Sequence, residues 1–95
     1  MKSIIPDGEY PVCYLSGRSD NLEIHHVFEG NPGRKLSERY GLKVWLTRQM
    51  HTGENGVHQN RELSDRLKAE IQQKAMEHYG WSIEQFQQIF GKSYI

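Results

Sequence analysis

Leu22-Glu23-Ile24-His25-His26-Val27-Phe28 is the stretch on which the reading of the fold turns. Its β-branched and aromatic residues favour an extended backbone. Turn formers bound it on both sides, Ser19-Asp20-Asn21 before and Gly30-Asn31-Pro32-Gly33 after. Leu42-Lys43-Val44-Trp45-Leu46-Thr47 is a second run of this kind, alternating apolar and polar until Trp45. Successive side chains of a strand leave opposite faces, so His25 and His26 point apart. The simplest outcome is one buried, hydrogen-bonded histidine and one exposed. Imidazole is also the commonest metal ligand and a general base near neutral pH. Adjacent histidines divide those two tasks if further ligands come from elsewhere. His51 and His58 are the nearest of the same type. The glycines between them, Gly53 and Gly56, keep them off one face of a continuous helix, so a turn must bring them together.

The link from Glu29 to Gly41 is too long for a tight turn and carries Arg34, Lys35 and Arg39. It reads as an ordered surface loop, where binding chemistry tends to sit. With Pro6-Asp7-Gly8, Ser16-Gly17 and the other turn formers, the first 60 residues read as strands and loops. The last third is helical. Asn60 is an N-cap, and Leu63, Leu67, Ile71, Ala75, Met76 and Tyr79 form the stripe of a half-buried helix that ends at Gly80. Ser82-Ile83-Glu84-Gln85 fits a capping box, with Trp81 placed to staple onto Phe86, and a second helix runs to about Phe90 before Gly91.

At 95 residues the chain makes one domain. Hydrophobic residues are 36% and aromatics 11%, too many for a disordered segment. No stretch approaches the ~20 apolar residues of a membrane span. The start, Met1-Lys2-Ser3-Ile4-Ile5-Pro6-Asp7, lacks a signal peptide's apolar core, so the chain reads as cytoplasmic with no membrane partner. The single cysteine, Cys13, excludes an internal disulfide framework. Twelve basic residues balance twelve acidic ones, a neutrality at odds with a strongly basic nucleic-acid binder. It hides a local excess, because Gly33–Met50 holds Arg34, Lys35, Arg39, Lys43 and Arg48 against Glu38 alone.

Strand, His-His, basic link, strand, His and helix in this order resemble the HNH (His-Asn-His, ββα-metal) endonuclease family, in its phage-associated variant. The segments that carry the resemblance are Leu22–Phe28, Ser37-Glu38-Arg39-Tyr40-Gly41-Leu42 and Leu46-Thr47-Arg48-Gln49-Met50-His51. Gly56-Val57-His58-Gln59-Asn60 and Phe90-Gly91-Lys92-Ser93-Tyr94-Ile95 continue it, over about Val12 to the C-terminus. The resemblance implies an α+β domain: a ββα-metal core with a long loop between its two strands, followed by two C-terminal helices. Residues 1–21 would form an N-terminal arm and the hairpin of a former zinc knuckle, 22–59 the ββ-metal motif and 60–95 the helical part. His26 would be the general base, with His25, His51 and His58 as ligands of one divalent ion (Mg²⁺, Mn²⁺, Ni²⁺ or Zn²⁺). For His25 and His26 to serve one site, the strand must end or kink there. Arg34, Lys35, Arg39 and Arg48 would contact the DNA backbone, which positions a duplex without reading its sequence.

Two departures from the family pattern stand out. Many relatives hold a structural zinc with two CxxC pairs, where this chain has Cys13, Ser16, Thr47 and Met50. Three of these four cannot replace thiolates, so no structural zinc is expected. Cys13 and Met50 would instead pack as apolar groups while Ser16 and Thr47 hydrogen-bond. The family's central asparagine, which helps orient the base, is missing near Gly41-Leu42. Either another group takes over that task or activity is weakened. The implied function is a metal-dependent DNA endonuclease or nickase of phage or prophage origin, with a phage or host recombination or packaging protein as a further partner. The alternatives are a catalytically degenerate HNH-like DNA- or protein-binding module, or a helical interaction domain using the Leu63–Tyr79 stripe.

Overall fold

The longest element is helix α3, Arg61–Tyr79, and its ends are set by two residues. The Asn60 side chain accepts a hydrogen bond from the Leu63 amide, and Gly80 takes the left-handed conformation that closes the last turn. Leu67, Ile71 and Ala75 are buried along one face, with Leu63 and Met76 packed at its edges. The apolar stripe of α3 therefore covers the domain's own core. Helix α4, Ile83–Phe90, starts at the Ser82/Gln85 capping box and buries Phe86 completely. The Trp81 and Phe86 rings lie 6.5 Å apart, in line with a staple across the helix start.

The computed structural model describes residues 1–6 and 10–95. Among them the chain forms a small compact α+β domain, a two-stranded antiparallel sheet with four helices. Strand β1 is Leu22–His26 and β2 is Lys43–Thr47. His25 lies opposite Val44 and His26 opposite Lys43. Val44 and Leu46 turn one face of this ribbon into the core beside Val27, Phe28, Leu42 and Val57. No helix of the described residues is long and apolar enough to cross a membrane.

Two expectations are corrected. The link between the strands is not a loop, since helix α1 occupies Gly30–Tyr40. Its opening Gly-Asn-Pro-Gly reads as a turn, and Asn31, forced extended by the following proline, does break the first turn. Tertiary contact then makes the helix. Ser37 is fully buried, its hydroxyl donating to the Phe28 carbonyl (2.8 Å) and accepting from the Phe28 amide (3.0 Å). One turn earlier, a Cβ on Gly33 would sit 3.1 Å from the Phe28 carbonyl carbon, so glycine lets α1 press onto the chain leaving β1. Second, a short helix α2, Arg48–Thr52, follows β2 directly, with the Thr47 hydroxyl accepting from the Met50 amide as its N-cap. Residues 10–21 contain no assigned strand. They make a turn closed by Cys13 N–H to the Arg18 carbonyl (2.7 Å) and Gly17 N–H to the Cys13 carbonyl (2.8 Å). The Pro6-Asp7-Gly8 turn falls largely outside the described residues.

Candidate metal centre

His25, His51 and His58 converge. Their ring centroids are 5.1 Å (His25–His51), 5.3 Å (His25–His58) and 4.8 Å (His51–His58) apart. One ring nitrogen from each lies within 4.8 Å of the others. His25 comes from the core-facing side of β1, His51 from α2, and His58 from the segment before α3.

The turn that joins His51 to His58 is a clasp of backbone on backbone. Val57 N–H donates to the Met50 carbonyl (2.7 Å) and His58 N–H to the His51 carbonyl (3.2 Å). So close an approach needs glycine, because a Cβ on Gly56 would lie 2.6 Å from the Gln49 oxygen and 2.7 Å from the Met50 carbonyl.

Two of the imidazoles are backed by carboxylates. His51 Nδ1 is 2.9 Å from Glu23 Oε1, and His58 Nδ1 is 2.9 Å from Glu29 Oε2. An ionised carboxylate only accepts hydrogen bonds, so the His51 Nδ1 that faces Glu23 is the donor, which leaves Nε2 as the free nitrogen of that ring. Histidine ligands are commonly oriented this way, and the outer carboxylate raises their basicity. Glu29 is itself held by Lys68 at 3.1 Å. Burial, reinforced by the nearby His51, His58 and Lys68, pushes the His25 imidazole down to about 3. It therefore stays neutral, as a metal ligand must, across the physiological range.

His26 lies on the other face of β1, as alternation requires, and it is the strand's last residue. An open cavity of about 740 Å³ wraps around this strand end, lined by His25, His26, His51 and His58 together with Arg34, Glu38 and Lys43. The end of the strand thus lets two side chains of opposite direction border one space. His26 Nε2 is 2.8 Å from Glu38 Oε2, and the buried Lys43 Nζ is 2.9 Å from the same oxygen. Lys43, ahead of His26, holds the Glu38 carboxyl below the usual carboxylate range.

Helical spacing sorts the basic residues. Arg34 and Glu38, four apart on α1, both border the cavity, whereas Lys35 and Arg39 lie on a neighbouring exposed face. The Arg39 guanidinium sits 5.7 Å over the Tyr40 ring. Arg48 reaches Glu23 at 3.6 Å, beside His51. The structure therefore brings Arg34 to the cavity and Arg48 to its edge, and does not gather all four.

The four knuckle positions also lie close together. Cys13 is buried in the core, and the Ser16 amide donates to its Sγ at 3.4 Å. Burial pushes this thiol up, but hydrogen bonds from the Ser16 side chain and from the Thr47, Ser16 and Leu15 backbone prevail and leave it below its ordinary value. Thr47 caps α2 and Met50 packs half-buried against the core.

Glu23, Glu29, Glu38, Lys43 and Lys68 are absent from the sequence-based site. Glu23 had a signal, since it lies two residues before His25 on the same strand face. Glu29, Lys43 and Lys68 had none without the fold. Comparison with family models, curated proteins and solved structures gave no match.

Proposed function

We propose that this chain is a metal-dependent DNA endonuclease or nickase of the HNH type, with a ββα-metal core built from β1, β2 and the helical segment that carries His51. The observation that carries the reading is the convergence of three imidazoles, two of them oriented by carboxylates, on the cavity that His26 also borders. The donor set suits a divalent ion of the zinc or nickel class. Neutral imidazoles favour such borderline ions, whereas Mg²⁺ prefers oxygen ligands.

A cation held there supplies positive charge for the scissile phosphate and the departing 3′-oxygen. His25, His51 and His58 would hold it through one ring nitrogen each. His26 takes the proton from the attacking water, a contribution worth about 10²–10⁴-fold in rate. Arg34, at the cavity wall, pairs with a non-bridging phosphate oxygen, while Lys35, Arg39 and Arg48 contact the backbone on either side. The Cys13 region carries no second ion in this reading, so zinc binds one per chain. A neutral chain makes a local footprint on DNA and fits placement by a phage or host recombination or packaging protein, in the cytoplasm.

The test is nicking of supercoiled plasmid with Zn²⁺, Ni²⁺, Mn²⁺ or Mg²⁺, beside His26→Ala. Nicking with Zn²⁺ or Ni²⁺ that His26→Ala abolishes is the expected result. Wild type and variant equally inert with every metal, yet binding DNA with a salt-dependent affinity, would replace this reading with a degenerate DNA-binding module.

A further inference from the structure

We infer that Glu38 is a positioning residue that fixes which nitrogen of His26 carries the proton, and so supplies the task left open by the missing asparagine. The inference rests on the reading of His26 as the base.

A general base must present its lone pair at a defined atom, and a neutral imidazole has two choices. Here one nitrogen is committed. Glu38 Oε2 lies 2.8 Å from His26 Nε2, and a carboxylate has no proton to give, so Nε2 carries the hydrogen and Nδ1 the lone pair. A carboxylate that holds a histidine in one tautomer is a recurring device of enzymes that use histidine as a base.

An exposed ion pair would be a weak anchor, since solvent screens it and both side chains stay mobile. Glu38 is fixed from two other directions. Lys43 lies directly across the ribbon from His26 and donates to the same Oε2 at 2.9 Å, from a side chain only 7% exposed. The packed stem of Lys43 leaves its ammonium little freedom, so it meets the Glu38 carboxylate from one fixed direction. The residue before Glu38, Ser37, is locked to both backbone groups of Phe28, two residues beyond His26. α1 therefore cannot slide along β1 without breaking two buried hydrogen bonds. Backbone, lysine and carboxylate together set the orientation of one ring.

The test starts with wild-type protein. Long-range ¹H–¹⁵N spectra of its histidine side chains at pH 8, with His26 assigned through His26→Gln, should show the Nε2–H tautomer. In Glu38→Gln the amide can offer either its carbonyl or its NH₂, so the His26 signals should shift toward a mixture of tautomers. Gln retains an acceptor for Lys43, and the thermal midpoint reports whether the fold is kept. In plasmid cleavage, kcat should fall about 10- to 100-fold, part of the general-base contribution, with KM for DNA changed less than about threefold. A wild-type His26 protonated on Nδ1 overturns the inference without any variant, as does a tautomer that Glu38→Gln leaves unchanged. If the tautomer shifts but neither protein cleaves DNA, Glu38 does position His26 and it is the nuclease reading that fails.

Discussion

The two helices α3 and α4 and the histidine-bearing segment from β1 to His58 are held together by different forces. The helical part is fixed by apolar burial and local caps: Leu67, Ile71, Ala75 and Phe86 inside, Asn60, Ser82, Gly80 and Gly91 at the ends. The site is fixed by polar contacts distant in sequence, such as Glu23 with His51 and Glu38 with His26, and by glycine-permitted backbone contacts at Gly33 and Gly56. Burial is non-directional and tolerant, whereas carboxylate–imidazole pairs and backbone clasps set position to within fractions of an ångström. One region supplies stability and the other supplies aim.

Phe86→Ala should have the largest effect, about 3–5 kcal/mol of lost stability. Urea unfolding reads the loss, and zinc affinity of the protein still folded should stay near wild type. A matching collapse of zinc affinity would show that the two regions are not separable. Gly56→Ala attacks the join between them. Its Cβ cannot be accommodated without moving Gln49 or Met50, so about 2–3 kcal/mol of stability should be lost, and zinc binding should weaken with it as His58 leaves His51. Calorimetry showing wild-type zinc affinity would mean that the clasp does not place His58. Glu23→Gln touches aim alone: zinc affinity should fall about 10–100-fold while the metal-free thermal midpoint stays within a degree or two.

The most gradual effect is a slope with pH. In metal-free protein His25 remains neutral down to about pH 3, whereas in the unfolded chain it takes a proton near its ordinary value of 6.5. Below pH 6.5 the unfolded state binds the additional proton. Stability fully present above 6.5 is therefore lost as pH falls toward 3, by up to about 1.4 kcal/mol per unit from this group. Urea midpoints at pH 7, 6 and 5 with a chelator should fall more steeply for wild type than for His25→Gln. Equal slopes would refute the assignment.

The same division decides what can be read from the chain. α3 and α4 were legible to their caps, because Asn60, Gly80, Ser82 and Gln85 act on backbone groups three or four residues away. The convergence of His25, His51 and His58 was legible as a requirement for a turn. Helix α1 was not, because Gly30, Asn31, Pro32 and Gly33 carry turn propensity and the contacts that overrule it, Ser37 and Gly33 on Phe28, join residues five and nine positions apart. Helix α2 is five residues long, too short to leave a periodicity. Glu38 reaches the site only once α1 exists, so an error on one helix hid that side chain.

Gln72 is fully buried in the middle of α3, and both ends of its amide are spent on the tail. Its NH₂ donates to the Ser93 hydroxyl at 2.9 Å, and its carbonyl accepts from the Tyr94 amide at 2.7 Å. During synthesis on the ribosome, α3 emerges some twenty residues before those partners do. Until Ser93 and Tyr94 leave the exit tunnel, the Gln72 amide has only the weak Met76 sulfur acceptor within its own helix and an unpaired carbonyl at the position that should be driest, which opposes docking onto the sheet. The stretch after α4 thus acts as a latch, because α3 can bury this amide with its partners in place only once Ser93 and Tyr94 have been made.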